Sequence, residues 1–266
     1  MDAIVDLEAF PLDAAAGDAR RDLVARCRRE LDGEGLFDLR GLVRPAALAA
    51  MLAQVEPLLS HSAFLHRRHH NVYFRPAADC IAEGLPAGHP ALAELETTSR
   101  TLCGDQLAGG ALERLHLWPP LAAFLAEVLQ LDALYPMADP LARLNVMGYQ
   151  AGESLNWHFD RADFSVTLLL QASAGGGLFE YRRDLRRDGE ANYDGVARLL
   201  AGQDPEVRRR RLAPGTLNLF RGRHSAHRVT PVEGPTPRIV AVLSFSTRPD
   251  ALFTSQERIG FYGRAA

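Results

Sequence analysis

The second half of the chain consists of short runs of apolar or alternating residues, with a turn signal rich in glycine and proline between most of them. The runs lie at residues 143–149, 164–170, 177–181, 216–220 and 239–246, and the turns at 151–152, 175–177, 214–215 and 234–235. Alternation of apolar and polar residues is typical of β-strands with one buried face. Several short strands separated by such turns predict an antiparallel sandwich or barrel.

The first half has helical periodicity instead. Residues Asp18–Leu31 place apolar side chains three and four positions apart. A second helix is predicted after Pro45, a third between residues 90 and 107, and a fourth over residues 121–129. We therefore expect an α+β protein whose mainly helical first part packs on the β core.

A charged segment interrupts the predicted strands between residues 182 and 212. Within it, Asn192–Leu200 predicts a short capped helix, and the basic run Arg208–Arg211 is interpreted as a solvated surface loop. We interpret the segment as an insertion in one domain. That domain comprises a helical part at 1–140, a core at 141–248 and a C-terminal tail at 249–266 within residues 1–266.

Composition and charge narrow the classes of partner. The net charge of −3 gives no global positive field of the kind that draws proteins onto nucleic acid, so a small-molecule partner is favoured. No apolar run approaches the length of a membrane span, and the N-terminal residues do not resemble a signal peptide, so we expect a cytoplasmic protein without a membrane partner. The three cysteines lack the paired spacing of a disulfide framework or a thiolate zinc site.

His158 and Asp160 are the first candidate metal ligands. They are two residues apart, so in an extended segment their side chains point the same way and can hold one ion together. Two histidines and a carboxylate hold Fe(II) on one face of an octahedron and leave three positions open. The third ligand must come from a later strand, where both His224 and His227 are candidates.

The surroundings of this pair resemble the Fe(II)/2-oxoglutarate dioxygenase superfamily. The resemblance rests on His158-x-Asp160, the distal His227 in a His-x-Val-x-Pro-Val run, and Arg238 eleven residues later. The segments that surround them are Asn145–Gly152, Phe164–Leu170 and Pro214–Phe220. The resemblance implies a double-stranded β-helix core (jelly-roll, cupin-like). It also implies that Fe(II), 2-oxoglutarate and O2 are used, with ascorbate helpful in vitro.

The same resemblance assigns roles to individual residues. His158, Asp160 and His227 would hold the iron and form the catalytic centre, with His224 left at the surface or behind the ligands. Arg238 would pair with the distal carboxylate of 2-oxoglutarate, because a guanidinium makes two parallel hydrogen bonds to a carboxylate. Three further side chains, Asn145, Tyr149 and Thr167, are interpreted either as strand packing or as hydrogen-bonding partners of the oxo-acid.

The segment His66–Arg75 contains three of the nine histidines, yet it does not predict a second metal site. Read as an extended run, it places His69, Asn71, Tyr73 and Arg75 on one face, which is a polar stripe and not a metal cage. The alternatives are an exposed polar strand and a substrate-binding strand with Asn71, Tyr73 and Arg75 as contacts. Arg75 is then the preferred partner of a substrate carboxylate. Trp157 is a further candidate contact, although a core position is the commoner fate of tryptophan.

Within the superfamily, the chain most resembles enzymes that hydroxylate or halogenate small free amino acids. The shared features are the helical first half, the run Leu155–Asp160 and the terminal Phe261–Arg264. Hydroxylation of an unactivated C–H bond is then expected, with release of succinate and CO2. Radical halogenation is the alternative within the subgroup. The halogenases have a small residue where this chain has Asp160, so the carboxylate favours hydroxylation. A non-oxidative cupin-like barrel is the other alternative, and the charge balance disfavours a nucleic-acid oxygenase.

Overall fold

The structure is a computed structural model that describes residues 1–14 and 17–266. Its α-helices are α1 (Asp18–Glu34), α2 (Pro45–His61), α3 (Ala77–Ala82), α4 (Ala111–His116), α5 (Pro119–Leu129), α6 (Tyr193–Leu200) and α7 (Ser255–Tyr262). Its first strands are β1 (Leu36–Leu39), β2 (Phe64–His70), β3 (Leu95–Leu102), β4 (Tyr135–Pro136), β5 (Leu144–Tyr149) and β6 (Leu155–His158). Next come β7 (Ser165–Gln171), β8 (Gly175–Gly176), β9 (Phe179–Arg182) and β10 (Arg208–Arg210). The last are β11 (Leu217–Phe220), β12 (Ala226–Val229), β13 (Val232–Glu233), β14 (Arg238–Leu243) and β15 (Phe245–Ser246).

A seven-stranded sheet, the major sheet, forms the centre of the fold. Its strand order is β1-β11-β7-β14-β5-β3-β2, and all neighbours are antiparallel. Alternate residues such as Val146, Leu168 and Ala241 are buried with the apolar residues of α1, α2 and α5 in the largest core cluster. Because side chains alternate along a strand, the remaining residues face the opposite side.

A four-stranded sheet, the minor sheet, has the order β10-β9-β12-β6. Trp157 of β6 and Phe159, which follows that strand, pack with Val196 and Leu199 of α6, which covers them from outside. Two antiparallel sheets with helices on the outer face of the larger one make the predicted double-stranded β-helix, and the predicted fold class is confirmed. The predicted helices at Asp18–Leu31, after Pro45 and at 121–129 correspond to α1, α2 and α5.

The predicted helix between residues 90 and 107 is wrong. Residues Pro90–Leu92 and Gly104–Leu107 form short 3-10 turns, and β3 lies between them. The threonine-rich run in β3 favours a strand, since β-branched side chains pack well on a pleated surface. With β1 and β2, this strand carries the major sheet into the mainly helical first part.

The interpretation of Arg208–Arg211 as a surface loop is also wrong in part. Residues Arg208–Arg210 form β10, an edge strand that pairs with β9. Its arginines contact buried or half-exposed carboxylates, including Arg209 Nε to Glu180 at 2.5 Å and Arg210 Nη2 to Glu34 at 2.8 Å. The helix expected over Asn192–Leu200 is present as α6, and the Asn192 side chain caps it by accepting from the Gly195 N–H.

None of the helices in the described residues combines the length and apolarity needed to cross a bilayer. The cytoplasmic location expected from the sequence stays a prediction.

Candidate active site

Two histidines face each other across neighbouring strands of the minor sheet. His158 at the end of β6 is the direct register partner of His227 in β12, and their ring centroids are 4.0 Å apart. The Nδ1 of His158 lies 2.8 Å from the Asn156 carbonyl, and the Nδ1 of His227 lies 3.0 Å from the Ser225 carbonyl. A carbonyl only accepts, so each Nδ1 carries a proton, and each Nε2 is the ring nitrogen left to bind a metal.

Asp160 completes the group from the loop after β6. Its Oδ1 lies 3.5 Å from Nε2 of His158 and 3.4 Å from Nε2 of His227. One ligand atom from each of the three residues lies within 4.8 Å of the other two. Two imidazole nitrogens and one carboxylate oxygen that converge in this way fit the donor set of a facial Fe(II) site.

Electrostatics keep this carboxylate ionised. Burial by itself would raise the pKa of Asp160, but the nearby His227 and His158 hold that pKa well below its usual range. Burial lowers the pKa of His158, and the neighbouring His227 lowers it further. The site therefore presents an anionic carboxylate, and a metal would replace any proton on the histidine Nε2 atoms beside it.

Two residues that hold Asp160 escaped the sequence-based prediction. The Ser165 hydroxyl donates to Oδ2 of Asp160 at 2.8 Å, which leaves Oδ1 directed at the histidines. The Gly222 carbonyl accepts from the Asp160 N–H at 3.1 Å, and any Cβ on Gly222 would overlap the carboxylate. No spacing rule connects residues 160 and 222, so only the folded chain shows why glycine is required there.

Arg238 lies at the start of β14, on the face of the major sheet that packs against Leu155 of β6 and so looks toward the His-Asp-His group. It is the register partner of Tyr149, whose ring centroid is 5.9 Å from the guanidinium carbon. The residue is only 6% exposed, and among the described residues its buried Nη1 has no hydrogen-bond partner. Gly177 clears space beside it, because a Cβ there would come 3.2 Å from Arg238 Cδ. A buried guanidinium without a partner fits the anionic end of 2-oxoglutarate.

The sequence model of one family, described as HalD: Halogenase D, matches residues 106–258, more than half of the chain. The chain belongs to the halogenase D family. The match includes all three candidate ligands and Arg238. No curated protein matches the sequence significantly.

Solved structures share the fold of this halogenase D family member at low sequence identity. The α-ketoglutarate-dependent epimerase SnoN from nogalamycin biosynthesis has a TM-score of 0.56 and 15% identity over 85% of this chain and 83% of that chain. AviO1 from Streptomyces viridochromogenes Tue57 has a TM-score of 0.54 and 16% identity, with 84% and 94% covered. EctD from S. alaskensis, solved with 2-oxoglutarate and 5-hydroxyectoine, has a TM-score of 0.53 and 18% identity, with 84% and 75% covered.

Family and fold together place the chain in the Fe(II)/2-oxoglutarate oxygenase superfamily. The predicted enzyme class is confirmed at the level of this superfamily, and the His-Asp-His group has the donor set of the predicted iron site. The narrower assignment to amino-acid hydroxylases stays a prediction.

The halogenase D fold places the three remaining cofactor candidates differently. Tyr149 is 1% exposed, and among the described residues its hydroxyl has one partner, the Met147 sulfur, to which it donates at 3.7 Å. A thioether is a weak acceptor, so a ligand oxygen could take its place. Asn145 donates to the Leu141 carbonyl at 2.8 Å and accepts from the Tyr262 hydroxyl at 3.0 Å. These bonds favour the packing alternative for Asn145. Thr167 is half-buried on β7, two residues from Ser165 and therefore on the same face.

The predicted substrate contacts lie around the turn that follows β2. The extended interpretation of residues 66–75 holds only as far as His70, where β2 ends. The guanidinium of Arg75 holds Glu83 through both Nη atoms, at 3.1 and 2.5 Å. Asn71 closes this turn by accepting from the backbone N–H groups of Tyr73 and Arg75. These positions leave the proposed roles of Asn71 and Arg75 in substrate binding as predictions.

Two aromatic candidates, Tyr73 and Trp157, are buried in the cluster beneath α6. The Tyr73 hydroxyl donates to the Ala191 carbonyl at 2.9 Å, and the Arg228 guanidinium lies 4.8 Å from a Trp157 ring centroid. This environment favours the core alternative for Trp157. His224, the rival third ligand, lies 3.2 Å from Asp188 at the surface and is not part of the His-Asp-His group.

Proposed function

We propose that this enzyme hydroxylates an unactivated C–H bond of a small polar substrate, a free amino acid or a derivative of one. The substrate R–H, 2-oxoglutarate and O2 would react to give R–OH, succinate and CO2. The single observation that carries the proposal is the combination of a His-Asp-His group with a buried, unpartnered Arg238 on the facing sheet. A non-oxidative ligand-binding barrel would have no use for that guanidinium.

The residues of the chain would divide the work between the two sheets. His158, Asp160 and His227 hold the iron, which with 2-oxoglutarate and O2 supplies the oxidation of the C–H bond. Arg238 pairs with the carboxylate of the oxo-acid that is remote from the metal, so that the keto-acid end is directed toward the metal.

Aromatic side chains shield this centre from water. The ring centroid of Phe220 is 4.8 Å from that of His227, and the ring centroid of Phe74 is 5.6 Å from that of His158. These rings fix the orientation of the ligands. They also cover the two imidazoles, which are each 6% exposed.

Asp160 makes hydroxylation the favoured outcome although the family carries the name of a halogenase. The carboxylate would occupy the coordination position that chloride needs, and the Ser165 hydroxyl holds it there through Oδ2. Chloride would have to displace an anionic ligand whose pKa is held well below its usual range. Hydroxylation and not chlorination of the substrate is then the expected outcome.

The amino-acid substrate class is supported by the sequence features shared with amino-acid hydroxylases and by the net charge of −3, which suits a small-molecule partner. The test is a turnover screen of free amino acids with Fe(II), ascorbate and 2-oxoglutarate under 18O2, read by mass spectrometry. We expect one substrate to gain a single 18O atom in proportion to the succinate formed. The His158→Ala protein serves as the inactive control. The proposal would be contradicted if amino acids bound without any formation of succinate, or if the product formed in chloride buffer were chlorinated.

A further inference from the structure

A second polar cluster lies on the inner face of the major sheet, at its β2–β3 edge. In register, His66 is opposite Ser99 and Arg68 is opposite Thr97. Thr101 in the same strand is opposite Met147 of β5, a residue that packs with Tyr149 on the side of Arg238. Because alternate residues share a face, His66, Arg68 and Ser99 lie on the side of the sheet that looks toward the metal centre.

Arg68 is half-buried, and its side chain has no polar partner among the described residues. Its neighbour Arg67 differs in the face it lies on, in exposure and in having an acidic partner. The Arg68 guanidinium carbon lies 4.6 Å from the Phe74 ring centroid. Arg67 points to the opposite face of β2, is exposed, and lies 3.5 Å from Glu96. A guanidinium stacked on an aromatic face keeps its N–H edge available for a carboxylate.

Phe74 connects this guanidinium to the candidate metal centre. Its ring centroid is 5.6 Å from that of His158 and 4.2 Å from that of His70. Phe74 has a φ of +54°, which is uncommon for a bulky residue and occurs where the surrounding structure enforces it. The Phe74 ring therefore lies between Arg68 and the candidate iron ligand His158. This spacing would let a small substrate place its carboxylate at Arg68 and its reacting carbon near the iron.

The other polar groups of the cluster narrow the choice of donors. His70 uses both ring nitrogens, for the Asn71 carbonyl and the Thr97 hydroxyl, each at 2.9 Å. Ser99 is 1% exposed, and its buried hydroxyl has no hydrogen-bond partner among residues 1–14 and 17–266. Arg68 and Ser99 thus remain as a cation and a hydroxyl donor without partners on one surface.

We propose that Arg68, assisted by Ser99, binds the carboxylate of the substrate and so selects acids over amines and amides. The inference rests on the proposed function, since it places the substrate beside the same metal centre. It assigns to Arg68 the role that sequence reasoning gave to Arg75. Arg75 already holds the Glu83 carboxylate at its exposed position, whereas Arg68 has none.

The experiment measures binding to the protein loaded anaerobically with Fe(II) and 2-oxoglutarate. The probes are the common L-amino acids, their primary amides and their decarboxylated amines, followed by calorimetry. We expect the tightest ligand to be a free acid that binds at least about 10-fold more tightly than its amide. Arg68→Gln should weaken that acid by about 10- to 100-fold and leave its amide within a factor of about three.

Matched variants separate recognition from packing. Arg67→Gln should leave the acid-to-amide ratio unchanged, Ser99→Ala should lower it less than Arg68→Gln, and Arg68→Lys should restore part of it. An equal loss of acid and amide in Arg68→Gln, or the absence of carboxylate-selective binding, overturns the inference. Selective binding of an acid without any oxygen transfer to it would instead contradict the proposed function and leave the subsite standing.

Discussion

Replacement of Arg238 by methionine should change the stability of the fold and the affinity for 2-oxoglutarate in opposite directions. The wild-type side chain is 6% exposed, and its Nη1 has no partner in the part of the chain that the structure describes. Burial lowers the pKa of Arg238, which reflects the loss of water around the charge. Methionine fills a similar volume without a charge. The ligand-free protein should therefore no longer bear the free-energy cost of burying an unpaired guanidinium, and it should be more stable.

The magnitudes follow from the environment. Substitution of buried ionic groups by well-packed apolar residues stabilises proteins by about 1 to 4 kcal/mol, which for a chain of this size raises the Tm by several degrees. Loss of one partner of a buried, hydrogen-bonded charge pair costs about 2 to 5 kcal/mol of binding energy. The dissociation constant of 2-oxoglutarate should therefore rise by about 30-fold to several thousand-fold.

The assay is thermal unfolding of the Zn(II)-loaded protein with and without 2-oxoglutarate, alongside calorimetric titration of the co-substrate. Wild-type protein should gain stability with 2-oxoglutarate, and Arg238→Met should start higher and gain little. Arg198→Met, at an exposed position of α6, is the control and should match the wild type in both measurements. An unchanged affinity for 2-oxoglutarate in Arg238→Met would remove this residue from the site and refute the reasoning.

Three further substitutions test other parts of the account. Ser165→Ala removes the hydrogen bond to Asp160 Oδ2 and should weaken Fe(II) binding by about 10- to 100-fold in an equilibrium titration, while Tm changes little. Burial alone would raise the pKa of Asp139, but three backbone N–H groups and Arg258 hold it below its usual value. Asp139→Ala should therefore cost about 3 kcal/mol of unfolding free energy above roughly pH 4, and denaturant titrations should show this cost shrinking as the pH falls below that value. Asp160→Gly should bind chloride, whereas the unaltered enzyme in excess chloride should give a product that gains oxygen and no chlorine by mass spectrometry.

Much of the core could be predicted because its pattern is local. Strands β5, β7, β11 and β14 are short runs of apolar or alternating residues between turn signals, and α1 repeats apolar residues at three and four positions. The pair of residues 158 and 160 needed only the geometry of an extended segment. The choice between His224 and His227 needed the family resemblance. In the structure, the pairing of β6 with β12 places His227, and not His224, opposite His158.

Other parts depend on contacts that no local pattern contains. The apolar and threonine-rich run before residue 107 matches both a helix and a strand by composition, and pairing with β2 and β5 decides for β3. Two residues hold Asp160 in place, Ser165 and Gly222, and they come from different segments of the chain. Arg68 and Arg75 are both arginines of one basic run, and only the folded positions of Phe74 and Glu83 distinguish the unpartnered cation from the neutralised one.

The most direct test of the central claim is an anaerobic titration of the purified protein with Fe(II) and then 2-oxoglutarate, followed by visible absorption. We predict a weak charge-transfer band from the chelated oxo-acid, with one iron bound per chain. His158→Ala and His227→Ala should abolish the band, and His224→Ala, which changes a surface histidine beside Asp188, should keep it. A band that survives His227→Ala and disappears in His224→Ala would contradict the assigned metal centre.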